Sequence, residues 1–235
     1  MARNVRKPSR KRKRVGYNAR VKIRRLGFVG DVHAEDERLA LALERLRGAG
    51  ADLIACVGDI VDGPGDVDRC FELLDAPDVV SVRGNHERWF LGNDMRDLPG
   101  AHSKDQVSAE TTRRIAALPA TRSLDTTGGR LFLCHGLGAD DMGAVEPWET
   151  EVDMMCNVAL QRMLYNQHEQ FFLNGHSHRR LVRRIEHRVL INAGTLFREH
   201  EPTFGLIDFD ASRIRTWILA PDLRISEAVP AALPR

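Results

Sequence analysis

A chain of 235 residues, 43% apolar and 29% charged, has the length and composition of one globular domain with a substantial core. No apolar run approaches the roughly 18–20 residues of a membrane span, and no apolar stretch follows the basic N-terminus, so neither a membrane protein nor a secreted one is expected. The net charge of +2 conceals an asymmetry: residues 1–25 hold 12 Lys/Arg and no acid, which leaves 23 basic against 33 acidic residues in the remainder.

Taken in chain order, residues 1–24 read as a basic, flexible tail with an unbroken run from Arg10 to Arg14. Its charge density also fits a tether for nucleic acid or another polyanion. A single folded domain is expected over residues 25–235. Leu26-Gly-Phe-Val29 predicts a strand ending at Gly30-Asp31, and Leu39, Ala42, Leu43 and Leu46 give helical spacing over 36–48, closed by Gly48 and Gly50. Leu53 to Val57 predicts a second strand ending at Gly58-Asp59. Val67, Cys70, Phe71 and Leu74 form a second helical face, and Val79 to Val82 a third strand ending at Gly84-Asn85. This alternation predicts βαβ units and a largely parallel first sheet.

The second half changes character. Leu131 to Cys134 and Phe171 to Leu173 read as buried strands, with the Gly-, Asp-, Glu- and Pro-rich residues 137–153 between them as a long loop near the site. Leu190 to Asn192, Thr203 to Phe209 and Ile214 to Leu219 have short connections and predict a meander making up much of a second sheet. The expected fold class is α/β: two stacked mixed β-sheets flanked by helices, an α/β/β/α sandwich. Cys56, Cys70, Cys134 and Cys156 show no CxxC pairing and read as reduced thiols in a cytoplasmic protein.

Five polar clusters follow the apolar runs: Asp31-Val-His33, Asp59-Ile-Val-Asp62, Asn85-His86-Glu87, His135, and His176-Ser-His178. Ligands of open α/β sheets bind beyond the carboxyl ends of the strands, so strand-end loops can bring all five to one rim. Asp, His and Asn together suit divalent transition metals through mixed oxygen and nitrogen ligation. Each cluster alone has a structural reading: Asp31 and Asp59 as helix caps, Asn85 as a turn residue, a single histidine as a satisfied imidazole. No structural rule asks for all five in this order.

Gly30-Asp31-Val-His33, Gly58-Asp59-Ile-Val-Asp62, Gly84-Asn85-His86-Glu87, Cys134-His135-Gly136 and Gly175-His176-Ser-His178 resemble, in order, the motifs of the calcineurin-like metallophosphoesterase superfamily. Asn192-Ala-Gly-Thr195 loosely resembles a further Asn-Pro-Gly-Ser turn. The resemblance implies two divalent metal ions, with manganese foremost and Fe, Zn, Ni or Co also compatible. Asp31, His33 and His178 would hold the first; Asn85, His135 and His176 the second; Asp59 would bridge them. It implies hydrolysis of a phosphodiester, and of phosphomonoesters as well, through attack by a metal-activated hydroxide. His86 would act at the leaving oxygen, with Asp62 orienting it.

Arg83-Gly-Asn-His-Glu87 is similar to the Ser/Thr phosphatase branch, but Asp62 is followed by Gly63-Pro64 rather than Arg-Gly. His176-Ser-His178 instead resembles the compact bacterial and archaeal phosphodiesterases. Trp89, Phe90 and Trp148 are candidates for stacking on a nucleobase or aromatic leaving group, with core packing at least as strong an expectation for each. Two other functions compete: a nucleic-acid-directed nuclease or phosphatase that uses the basic tail, and a catalytically silent metal-binding scaffold on the same fold.

Overall fold

Strand-period alternation divides the apolar residues of this protein among three cores. The computed structural model describes residues 22–234; Arg235 and residues 1–21, on which almost all of the expected tail falls, lie outside the described residues. In chain order the elements are β1 (Arg25–Val29), α1 (Asp36–Gly48), β2 (Leu53–Cys56), α2 (Val67–Leu74), β3 (Val79–Ser81), α3 (Asn85–Gly92) and α4 (Ala109–Ala117). They continue with β4 (Thr121–Thr126), β5 (Gly129–Cys134), α5 (Glu151–Cys156), α6 (Val158–Asn166), β6 (Phe171–Asn174), β7 (Leu181–Ile185) and β8 (Arg188–Asn192). The last four are β9 (Thr203–Asp208), β10 (Arg213–Leu219), β11 (Ile225–Glu227) and β12 (Ala231–Ala232).

The strands form two mixed sheets. One runs β11-β10-β9-β1-β2-β3, with β12 also on β10; β1, β2 and β3 are parallel, and β9 joins β1 antiparallel. The other runs β4-β5-β6-β8-β7, with parallel pairing from β5 through β6 to β8. Successive strand residues point to opposite faces. Leu26, Phe28, Leu53 and Ala55 thus meet Leu131, Leu133, Phe171, Leu173 and Ile191 in the layer between the sheets. The alternate residues Val29, Ile54 and Cys56 pack with Leu39, Leu43, Phe71 and Ile115 of the helices on the first sheet. Phe132, Phe172 and Leu190 pack with Met154, Leu160 and Met163 of α5 and α6 on the second. The expected sandwich of two mixed sheets flanked by helices is the fold.

Three details differ from expectation. The predicted C-terminal meander does not make up the second sheet: β8 belongs to it, but β9 and β10 cross back and extend the first. The first five residues of β9 are buried, as befits a strand enclosed between β1 and β10. The loop predicted over 137–153 ends early, because Thr150 caps α5 by accepting from the Asp153 N–H. The packed fold also starts before Arg25. Ile23 is buried, its N–H donates to the Asp125 carbonyl, and its carbonyl accepts from Thr127.

No helix among the described residues is long and apolar enough to cross a membrane. The four cysteines are free thiols, three of them buried, and burial pushes Cys56 and Cys134 up to about 12.

Candidate metal centre

Each sequence-predicted site residue sits just beyond a strand, and the two sheets bring all nine together. Asp31 and His33 follow β1, Asp59 and Asp62 follow β2, Asn85 and His86 open α3 after β3, His135 follows β5, and His176 and His178 follow β6. The backbone bends sharply to do this. Asp31, His33, Asp59, Asp62, His176 and His178 all have positive φ, between 32° and 71°. Left-handed geometry is costly for these residue types and concentrates where function demands it. Two glycines permit close approach to the carboxylates: a Cβ at Gly84 would strike Asp59 Oδ1, and one at Gly175 would strike Asp31 Oδ1.

The polar atoms converge as a set of acceptors. His33 donates from Nδ1 to the Asp62 carbonyl (2.9 Å), so its Nε2 lone pair points inward and lies 3.1 Å from His178 Nε2. His178 Nε2 is also 3.4 Å from Asp31 Oδ2. His135 donates from Nδ1 to the Val57 carbonyl (2.8 Å), which aims its Nε2 at Asn85 Oδ1 (2.9 Å) and Asp59 Oδ2 (3.2 Å). His176 Nδ1 lies 3.0 Å from the same Asn85 oxygen. Asp31 is fully buried, and neither of its carboxylate oxygens has a hydrogen-bond partner.

Burial raises the Asp31 carboxyl to about 8 against the pull of His135, because a lone buried carboxylate lacks solvation. Burial also lowers His33 and His176, and takes His178 down to about 3, which keeps these rings in the neutral form that ligates metals. Burial opposes charge on His135 as well, but the Asp59 carboxylate outweighs it and raises that ring to about 10. Asp59 itself moves down: burial resists ionisation, and the His135 charge and hydrogen bond prevail. Apart from the proton His135 shares with Asp59, the site gathers histidine lone pairs and the unpartnered Asp31 carboxyl, which fit a cation at their centre, and the donor set of Asp, Asn and His fits a divalent transition metal. Ligand atoms of Asp59, His135 and His176 lie within 4.8 Å of one another, as do those of His33, Asp59 and His86.

His86 is held differently. Its Nδ1 meets Asp62 Oδ2 at 2.8 Å, while its Nε2 stays 4.0 Å from Asp59 Oδ2. Burial disfavours its charged form, but the hydrogen bond to Asp62 and the Asp59 charge raise its pKa on balance.

Three supports received no role from the sequence. Glu87 is buried, and its carboxylate accepts from the backbone N–H groups of Asp59, Ile60, Val61 and Gly84 at 2.6–3.0 Å. It thus fastens the loop after β2 to the loop after β3; its place beside His86 in the third cluster was the available signal. Arg96 grips both oxygens of Asp62 at 2.8 Å and donates to the His102 carbonyl, while the His102 N–H donates to Asp62 Oδ1. No pattern in the sequence marks Arg96. Thr195 donates to the Asp31 carbonyl at 2.7 Å, and Asn192 donates to the Gly175 carbonyl at 2.6 Å, so the Asn192–Thr195 turn braces both metal-facing loops. Of the aromatic candidates, Phe90 is core, Trp89 packs edge-on against His86 with 4.7 Å between centroids, and Trp148 is exposed.

Residues 25–212 match the calcineurin-like phosphoesterase superfamily domain. The chain belongs to that superfamily. An uncharacterized protein of Methanocaldococcus jannaschii is 24% identical over 187 residues, covering 76% of this chain and 72% of its own. A metallophosphoesterase from Sphaerobacter thermophilus superposes with a TM-score of 0.65 at 21% identity, over 83% of this chain and 88% of that one. Vps29 of Entamoeba histolytica, solved in complex with Zn2+, superposes with a TM-score of 0.54 at 16% identity, over 89% of this chain and 99% of its own. At those identities the two structures speak for the fold of this superfamily member, and the chemistry is argued from its own residues.

Proposed function

We propose that this superfamily member is a dinuclear-metal phosphoesterase that hydrolyses phosphodiesters, and phosphomonoesters as well. The observation that carries the reading is the fully buried, unpartnered carboxylate of Asp31 amid converging histidine lone pairs. A buried carboxylate left in that state is destabilising unless a cation compensates it. Asp31, His33 and His178 would hold one ion, Asn85, His135 and His176 the other, and Asp59 would serve both. The backbone N–H of His86 donates to Asp59 Oδ1 at 2.9 Å and orients that carboxylate. Divalent cations there supply Lewis-acid neutralisation of the phosphoryl oxygens and ease deprotonation of an attacking water.

The remaining work falls to the chain itself. His86, with Nδ1 tied to Asp62, keeps Nε2 for the substrate and donates a proton at the leaving oxygen. Asp62 stays ionised under the guanidinium of Arg96 and fixes the imidazole's tautomer and angle. Manganese is our first assignment, with Fe, Zn, Ni and Co admitted by the same ligands. The test loads metal-free protein with each ion and measures hydrolysis of bis(p-nitrophenyl) phosphate and p-nitrophenyl phosphate, together with metal content and anomalous scattering. Two anomalous peaks at these residues and turnover that follows metal loading are expected. Fewer than two ions bound, or no turnover with any ion, would overturn the proposal.

A further inference from the structure

A groove of about 630 Å³ opens beside the metal centre, with His178 and Asn192 on its wall and Trp148, Arg179, Glu199 and His200 around them. Its contents are unlike those of a plain phosphate site. Trp148 is 65% exposed, and the Arg179 guanidinium lies 4.8 Å from the indole centroid. Arg179 is oriented by Glu146 at 3.5 Å and is joined directly to the ligand His178 in the chain. His200 packs edge-on against His178, with 4.7 Å between centroids, so the groove begins at the metal-facing ring itself.

Resting on the phosphodiesterase reading, we infer that this groove is a nucleoside subsite: the substrate is a nucleoside-bearing phosphodiester whose base stacks on Trp148 while its phosphate sits at the metal centre. The argument is chemical. An exposed indole backed by a guanidinium is a rigid, electron-rich platform that suits a flat heteroaromatic ring. Arg180 is engaged by Glu201 at 3.1 Å, and Glu199 stands nearby, so this wall is not uniformly cationic and does not suit a second phosphate. Carboxylates there accept hydrogen bonds, which the N–H groups of a base can donate. Trp89 is half-buried against His86 and is not available in this way.

Two esters with one leaving group isolate the subsite: thymidine 5′-(p-nitrophenyl) phosphate and methyl p-nitrophenyl phosphate, which differ in the retained group alone. The metal-loaded protein should prefer the thymidine ester through KM. Trp148→Ala should raise KM for that ester about 5- to 150-fold, the range expected for loss of one stacked base. It should leave the methyl ester unchanged, and Trp148→Phe should keep most of the preference. Calorimetry reads the same contact without turnover: AMP should bind wild-type protein more tightly than ribose 5-phosphate does, and Trp148→Ala should erase the difference. A single-stranded oligonucleotide series separates the sources of the nucleoside; a KM that falls with length marks a nucleic acid, and a constant KM marks a nucleotide or chain end. No thymidine preference, or an equal loss on both esters in Trp148→Ala, would overturn the subsite. Failure to hydrolyse either ester would instead strike the phosphodiesterase reading, and the AMP comparison would still decide the subsite.

Discussion

His86 meets Asp62 through one nitrogen and the open site through the other, and that division yields a sharp expectation. Under the proposed assignment His86 is not a ligand, so His86→Ala should retain both proposed metals and should lower kcat by roughly 10²–10⁴-fold, the scale of a lost general acid. Metal analysis beside steady-state kinetics on a poor leaving group checks this; near-normal turnover would remove His86 from the chemistry. Asp62 gives a pH signature. Burial would raise its carboxyl, but His86, Arg96 and the His102 N–H hold it down at about 2, from an ordinary 3.8. A depressed folded value means that its stabilisation is complete above the unfolded pKa and is lost as pH falls through the folded one. Metal-free wild type should therefore exceed Asp62→Asn by an amount that shrinks by about 2 kcal/mol between pH 5 and 2. Urea unfolding at several pH values measures it. A gap that is constant across this range would mean that Asp62 is not held ionised by these partners.

Among the elements, strand-end loops carry the centre, and Glu87 holds two of them in register. Its carboxylate accepts four backbone N–H groups, three of them from Asp59, Ile60 and Val61. Glu87→Gln turns one acceptor oxygen into a donor facing these N–H groups. We expect a loss of about 2–4 kcal/mol in stability, as for broken buried charge-assisted bonds. Metal affinity should fall with it, because Asp59 rides on the released loop. Chemical denaturation and metal titration test the two effects together; a variant as stable as wild type would show that water replaces these bonds without cost. The loops after β1 and β6 are braced instead by the Asn192–Thr195 turn, whose Thr195 and Asn192 side chains reach the Asp31 and Gly175 carbonyls.

At the scale of the whole molecule, the sandwich faces the parallel strand ends of both sheets to one rim, and the charge is divided between an acidic body and a basic N-terminal segment. We propose that this segment attracts polyanions such as nucleic acid, while the domain beyond it suffices for small substrates. Removing residues 1–21 should leave hydrolysis of a small diester unchanged at moderate salt. It should weaken polynucleotide binding and flatten its salt dependence. Removing residues 1–24 should cost about 2 kcal/mol more, since Ile23 is buried between the sheets with Leu124 and Leu131. Thermal unfolding and salt-dependent binding of the two truncations test both boundaries. Loss of small-diester activity in the shorter deletion would make the segment part of the working domain.

Local chemistry was legible in the sequence. Helical spacing placed α1 at Asp36–Gly48, alternating apolar runs located the buried strands, and five polar clusters at strand ends, four of them opened by a glycine, marked nine site positions. Those signals are periods and neighbours, which a chain carries within a few residues. Partnership across long separations was not legible. β9 and β10 read as members of a second sheet, but Leu26 of β1 pairs with Ile207 of β9 in the first. Arg96 meets Asp62 across 34 residues, and Thr195 meets the Asp31 carbonyl across 164. Nothing periodic announces such contacts; they exist because two sheets pack face to face and bring distant loops to one rim. The sequence by itself determined which side chains could serve a metal centre. The tertiary structure decided which of their atoms face one another, because burial and orientation are properties of the assembled sheets.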